Sequence, residues 1–403
     1  MNYYPCPKPP SKAMEGWIIH ILISNAPHIF LMFNPEKAAR KELAALPKTV
    51  HGGQGWKLEE VEDYSHNLNP FGPPEDISEL LAAAGSEVHH YPDDSCSELK
   101  EAISKVYGVK TDNITVGAGS SDIIRNFPNT FIDSGEIAVI PRPSFAEYAH
   151  QCRIAGVTVR KMELSENNDL RLNPEDITRH VSGAKALYIC NPNNPTGRIE
   201  PREKILSVVK ECLEKDVMVF LDETLLELVP GQEDISCVKY VDKYPNLVVA
   251  GSLTKSFAIP GIRIGFGFGS PETIAQMEKV RMTWNVGYAE QSIAKILIEE
   301  RMDYVYRAAE LMARESVTMN RELSDVGFTQ GKVSDSFFYF RPVSHLGVKA
   351  SEINERMQKE GIILRDCASF GEPYDMYVRY SVKDCERNNR FIYAAESVVK
   401  SLR

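Results

Sequence analysis

Three short apolar runs end in the same way, and this repetition constrains the fold more than anything else in the 403 residues. Residues 184–190 run into Asn191-Pro192-Asn193-Asn194-Pro195-Thr196-Gly197. Residues 217–221 run into Asp222-Glu223, and residues 246–250 into Gly251-Ser252-Leu253-Thr254-Lys255-Ser256. Runs of this length, mostly apolar and bounded by turn residues, read as buried strands. Strands of that kind belong to a mainly parallel α/β sheet, whose ligands gather at the carboxyl edge. The polar groups delivered to that edge are an asparagine, an aspartate and a lysine, followed after a Pro260-Gly261 turn by Arg263.

A single lysine near a strand end is most often a solvated surface charge, so Lys255 carries weight only through its companions. Pyridoxal phosphate needs a lysine to hold it as an imine and an acid to keep its pyridine nitrogen protonated as an electron sink. It also needs donors for its phenolate and phosphate. Lys255, Asp222, Asn194 and Arg263 supply these in turn. In this order the elements resemble the fold-type I aminotransferase superfamily. The resemblance implies a large α/β domain on a mainly parallel, seven-stranded-type sheet, a small α/β C-terminal domain, and pyridoxal 5'-phosphate as cofactor.

Other segments fit that expectation. Ile114-Thr115-Val116 leads into Gly117-Ala118-Gly119-Ser120-Ser121-Asp122 and an expected helix over 123–131. A strand, a Gly/Ser turn and a helix start leave backbone N–H groups and a dipole end aimed at an anion. The resemblance implies that Ser120 and Ser121 contact the cofactor phosphate, with Ser252, Thr254 and Arg263. Phe145 follows a strand at 136–140 and matches the superfamily's ring-stacking position; core packing is the competing reading. Tyr91 precedes Pro92 and a helix over 95–106, for which Ser95 and Glu98 form an expected capping box. The resemblance implies that Tyr91 reaches the cofactor phosphate of the partner subunit, and hence a homodimer with shared active sites.

A narrower resemblance is carried by four features. His51-Gly52-Gly53 and Asn67-Leu68-Asn69-Pro70-Phe71-Gly72-Pro73-Pro74 read on their own as turns and linkers, but they are similar to the arm and loop of threonine-phosphate decarboxylases. Leu225 stands where aminotransferases usually carry a tyrosine, inside a run 222–230 that resembles the decarboxylases. Trp284-Asn285-Val286 resembles them too. Finally, Arg365 and Arg379 are lone cations in apolar, strand-like surroundings, and burying an arginine is costly unless it meets an anion. An internal salt bridge would also satisfy each of them. The resemblance implies that the two arginines hold the substrate's carboxylate and phosphate, in either assignment, with His51, Asn67 and Asn194 as further substrate contacts.

The expected function is decarboxylation of L-threonine O-3-phosphate to (R)-1-amino-2-propanol O-2-phosphate, a step of cobamide side-chain synthesis. An aminotransferase of the histidinol-phosphate type, or a lyase or cyclase acting on a non-phosphorylated amino acid, uses the same residue types. A non-catalytic binding protein has no need of the lysine.

Composition excludes other classes. A formal net charge of -10 and the lack of Lys/Arg clusters argue against a nucleic-acid partner. The eight cysteines show no C-x-x-C pair, so neither a metal site nor a disulfide framework is expected, in keeping with a cytoplasmic protein. The apolar stretch within 16–33 is too short and too broken to span a membrane and lacks the flanks of a signal peptide. Met32 is an alternative start. The expected division is an N-terminal extension or arm over 1–50, a large cofactor domain over 91–300, and a small domain from 51–90 and 301–403. Further helices are expected over 35–46, 271–281, 289–300 and 310–322, and small-domain strands over 336–341, 362–367 and 377–381.

Overall fold

Seven strands build one sheet, and the chemistry of the chain hangs from its edge. The computed structural model describes residues 34–44, 46, 55, 58 and 60–403. The apolar run 17–23, Met32 and His51 lie outside the described residues. A first short strand, β1 (Glu62–Asp63), stands apart from the large sheet. Then come β2 (Ile114–Gly117), β3 (Ile137–Arg142), β4 (Thr158–Glu163), β5 (Ala186–Cys190), β6 (Met218–Asp222), β7 (Leu247–Ser252) and β8 (Gly265–Phe268). These pair in the order β2-β8-β7-β6-β5-β3-β4. All neighbours are parallel except β8, which runs antiparallel to β2 and β7.

Side-chain alternation along the central strands divides the core in two. Leu187 and Ile189, Val219 and Leu221, and Leu247 and Val249 enter one apolar cluster. Ala186 and Tyr188, Phe220, and Val248 and Ala250 enter the other, on the opposite face. Period-two alternation with both faces apolar is what a helix-covered parallel sheet requires.

The later strands β9 (Phe338–Pro342), β10 (Ile362–Ile363), β11 (Arg365–Asp366) and β12 (Tyr377–Ser381) lie outside the large sheet. β10 pairs in parallel with β1, while β11, β12 and β9 form an antiparallel sheet in that order.

Several boundaries differ from those expected. The run 362–367 is two strands, because at Leu364 the backbone N–H turns to Asn354 Oδ1 (2.8 Å). The stretch 35–46 is not one helix: Pro35–Ala38 is helical, Ala39 is extended, and a single 3-10 turn follows at Lys41–Leu43. Arg40 Nη2 fastens this break to the Ile154 carbonyl. Ser95 is not a helix cap. The helix runs Ser97–Tyr107, and Asp93 takes the capping role by accepting from both Ser95 N (3.0 Å) and Ser97 N (2.7 Å). The helix begins two residues after Ser95, so the Asp93 carboxylate, and not the Ser95 hydroxyl, meets its first N–H, that of Ser97. The helix expected over 123–131 begins at Ser120, so Ser120 and Ser121 already sit in its first turn. The helix expected over 310–322 is the middle of a longer one, Met302–Asp325.

Candidate active site

Beyond the carboxyl ends of β5, β6 and β7 lies a cavity of about 270 Å³. Lys255, Asp222, Asn194, Ser120 and Phe145 line it from the large sheet, and Asn67, Arg365 and Arg379 from the other side. With Leu225, nine side chains singled out from the sequence therefore meet in one space.

Lys255 lies in the single helical turn Leu253–Ser256, which Ser252 caps by accepting from Thr254 N at 3.2 Å. The loop 67–70 fastens this turn from the front: Asn69 N donates to the Lys255 carbonyl (3.0 Å) and Asn69 Nδ2 to the Ser256 carbonyl (2.7 Å). Burial, with Arg379 and Arg263 as neighbouring charges, lowers the Lys255 amine to about 8. A substantial neutral fraction is therefore present near pH 8, which imine formation requires.

Asp222 ends β6 and is buried. Its Oδ2 accepts from the Tyr148 hydroxyl at 2.6 Å and its Oδ1 from Thr224 N at 2.9 Å. Burial pushes its carboxyl above the usual range, and these donors oppose the shift. Asn194 is oriented by Arg379, whose Nη1 donates to Asn194 Oδ1 at 2.5 Å. That contact assigns the carbonyl oxygen and turns Nδ2, a donor, toward the remaining space.

At the other end of the cavity, the helix Ser120–Phe131 starts without a side-chain cap, so its first N–H groups keep their donor capacity. Gly119 adopts φ +83°, and a Cβ there would collide with the Arg263 guanidinium. Gly265 on β8 passes so close beneath Ser120 that a Cβ would overlap its backbone. The two glycines thus let strand, turn and arginine converge. Arg263 Nη2 reaches Ser121 Oγ at 3.3 Å. Ser252 is held differently: its hydroxyl donates to the Ile264 carbonyl at 3.1 Å.

Arg365 and Arg379 are register partners across β11 and β12. Like charges directly opposed in a sheet are destabilising unless an anion joins them. Arg379 is buried, its Nη2 donating to the Ser65 carbonyl, and burial lowers it to about 10. Arg365 is likewise lowered by burial, and its Nη2 donates to Ser369 Oγ at 2.8 Å. Arg379 Nε, Asn67 Oδ1 and His66 Nδ1 are buried without a hydrogen-bond partner among the described residues. Orphaned polar atoms grouped at a cavity mark a place for a polar ligand.

Tyr91 does not line the cavity of its own chain. It is 77% exposed and stacks on Trp284 at 4.3 Å. The sequence reading gave no role to Tyr148, Asn69 or His66. Tyr148 lies one helical turn beyond Phe145, a spacing that could have suggested a shared face. Asn69 and His66 stood in a loop already noted, with nothing in their type to separate structure from chemistry. Among the described residues no group of His, Cys, Asp and Glu could hold a metal, and no helix is long and apolar enough to cross a membrane.

The residues present suit pyridoxal phosphate: a buried acid for the ring nitrogen, an oriented amide donor, a lysine with a lowered pKa, and an uncapped helix start beside an arginine. Comparison with known proteins agrees. The family model Aminotransferase class I and II matches residues 59–394. A histidinol-phosphate aminotransferase of Methanococcus maripaludis is 29% identical over 350 residues, covering 85% of this chain and 91% of that protein. A provisionally named threonine-phosphate decarboxylase of Caldanaerobacter subterraneus is 30% identical over 333 residues, covering 81% and 88%. The crystal structure of histidinol-phosphate aminotransferase from Sinorhizobium meliloti in complex with pyridoxal-5'-phosphate superposes with a TM-score of 0.79. It is 20% identical and covers 94% of this chain and all of that one. Taken with the cavity, these findings identify the chain as a member of the aminotransferase class I and II family, with the fold-type I architecture.

Proposed function

We propose that the protein is a pyridoxal-phosphate-dependent decarboxylase of a phosphorylated amino acid, L-threonine O-3-phosphate being the simplest substrate. The observation that carries this reading is the pair Arg365 and Arg379, opposed in register and both at the cavity, which calls for a substrate with two anionic groups. Leu225, buried at the cavity wall where aminotransferases usually carry tyrosine, favours the same branch.

When bound, the cofactor supplies an electron sink for the pair left behind as carbon dioxide departs. Asp222 would hold its ring nitrogen, Asn194 Nδ2 its phenolic oxygen and Phe145 its ring face. The helix start at Ser120 and Ser121, with Thr254 and Arg263, takes the phosphate. Ser252 joins them only by exchanging its bond to Ile264. Arg365 and Arg379 hold the substrate's two anions and so fix which bond at the α-carbon stands upright to the ring. With the carboxylate upright, Lys255 Nζ would hold the proton that takes the place of the departing carbon dioxide at the α-carbon. Asn67, and His51 from the arm, add substrate contacts. The exposed Tyr91 reaches the cofactor phosphate of a second copy in a homodimer. We assign 91–300 to the large domain, and 51–90 with 301–403 to the small one; the β1–β10 pairing supports joining these segments.

An aminotransferase reading draws on the histidinol-phosphate aminotransferase relative, matched at similar identity to the decarboxylase. One incubation separates the two. Cofactor-loaded protein with L-threonine O-3-phosphate is expected to release carbon dioxide and form aminopropanol phosphate without a keto acid. Glutamate formed from histidinol phosphate and 2-oxoglutarate, with no carbon dioxide from the threonine ester, would replace this reading by the second.

A further inference from the structure

The electron sink depends on the charge of Asp222, and the side chain best placed to control that charge is Tyr148. A carboxyl group buried as Asp222 is favours its neutral form. A neutral Asp222 would leave a protonated ring nitrogen without a counter-charge. Two donors oppose this: Thr224 N on Oδ1, and the Tyr148 hydroxyl on Oδ2 at 2.6 Å. Each oxygen keeps a lone pair for the ring nitrogen.

The phenol hydrogen has two neighbouring acceptors, Asp222 Oδ2 and the weakly accepting Cys190 sulfur, and the carboxylate oxygen at 2.6 Å is the stronger. Cys190, the register partner of Asp222 on β5, is the other polar group near it, and its thiol donates to the Pro192 carbonyl at 3.1 Å. The remaining titratable groups around Asp222 are engaged elsewhere or stand across the cavity. The Glu223 carboxylate accepts from Ser236 Oγ (2.6 Å) and Cys237 N (2.8 Å), and Lys255 lines the cavity with Asp222. The Tyr148 ring is wedged against Tyr188, Phe145 and Phe220, with centroids 5.5, 5.6 and 6.1 Å away, so the hydroxyl is aimed by packing. Leu225 provides no phenol on its side of the cavity, which leaves Tyr148 as the tyrosine hydroxyl that touches the machinery.

We propose that Tyr148 is a positioning residue for the cofactor, its hydroxyl keeping Asp222 anionic and oriented so that the ring nitrogen stays protonated. This rests on pyridoxal phosphate being the cofactor and not on which reaction follows, so failure of the decarboxylase assay leaves it standing.

The test is Tyr148→Phe, which keeps the ring and removes the hydroxyl. With nitrogen-15-labelled cofactor bound, the ring nitrogen of the unmodified protein stays protonated through neutral pH. In Tyr148→Phe it loses its proton about one pH unit lower or more. Turnover falls about 10- to 100-fold while KM stays within about threefold. Tyr188→Phe is the control, because that hydroxyl belongs to the same aromatic cluster but pairs with Cys152 Sγ at 3.3 Å; it leaves the ring-nitrogen signal unchanged. In an Asp222→Asn background the Tyr148→Phe effect on turnover shrinks to less than about twofold, since no carboxylate is left to hold. An unchanged ring-nitrogen titration in Tyr148→Phe overturns the proposal. So does an equal shift in Tyr188→Phe, or a Tyr148→Phe effect that persists in full without the Asp222 carboxylate.

Discussion

The two walls of the cavity differ in how their polar groups are satisfied. On the large-sheet wall, both Asp222 oxygens and the Ser252 hydroxyl are bonded within the protein, and Asn194 is oriented by Arg379. On the facing wall, Arg379 Nε, Asn67 Oδ1 and His66 Nδ1 have no partner among the described residues, and two arginines oppose each other in register. The first wall holds its acid and hydroxyl in fixed orientations and leaves the helix-start N–H groups and Asn194 Nδ2 as donors facing the cavity. An incompletely satisfied wall is completed by a ligand that comes and goes. In the proposed function the cofactor belongs to the first wall and substrate selection to the second.

The strongest challenge to this division is Lys255→Ala, at the meeting of the two walls. Turnover is expected to fall by on the order of 10⁴-fold or more, and the visible absorption of the loaded protein to disappear. A coloured, active variant would remove the lysine from the chemistry altogether.

Next in size is Arg379→Lys, which keeps a charge but loses the planar fork. Its kcat/KM should drop about 100-fold, with cofactor affinity within about threefold of the parent. Equal losses of substrate and cofactor affinity would show that the walls are not separate. Titrating cofactor into the apoprotein, followed by steady-state kinetics, decides it.

The lowered Lys255 amine gives two pH predictions of intermediate size. Only the neutral amine attacks the cofactor's aldehyde, so the rate of cofactor uptake should rise with pH through about 8 and then level off. A lysine whose folded pKa lies below its unfolded value holds fewer protons when folded. Between about 8 and the unfolded value of 10.5, stability therefore rises with pH, and below that window the full penalty applies. Lys255→Met should accordingly raise the Tm of the cofactor-free protein at pH 7 by a few degrees, an advantage that fades toward pH 10. Calorimetry showing the same gain at both pH values would exclude the titration as its source.

The smallest expected effect is that of Leu225→Tyr, which adds a phenol to the satisfied wall. Because Asn194 already offers a donor, turnover should change by less than about tenfold. The spectrum of the bound cofactor is the more sensitive measurement. A larger gain in transamination than in decarboxylation would identify position 225 as a selector between reactions.

Much of the first wall was legible in the chain. β5, β6 and β7 lie where their apolar runs stand, because a strand buried on both faces leaves an uninterrupted signature, and the residues after them carry the polar groups. Less was legible at local boundaries. Ser95 had the right type for a cap, but the helix starts two residues later, where the Asp93 carboxylate meets its first N–H. The run 362–367 looked continuous because periodicity does not register a backbone N–H diverted to Asn354.

Residue type and order alone determined the sheet, its polar edge and the identity of the lysine, aspartate and asparagine that meet there. These are short-range properties: an apolar run, a turn, and a charged or polar residue at its end. Tertiary structure decided what depends on contacts distant in the chain. Examples are Tyr148 against Asp222, Asn69 against the Lys255 turn, and Arg365 opposite Arg379. Such contacts leave no periodicity or spacing to read, since the hydrogen bond that aims a carboxylate exists only once two separate segments have packed around it.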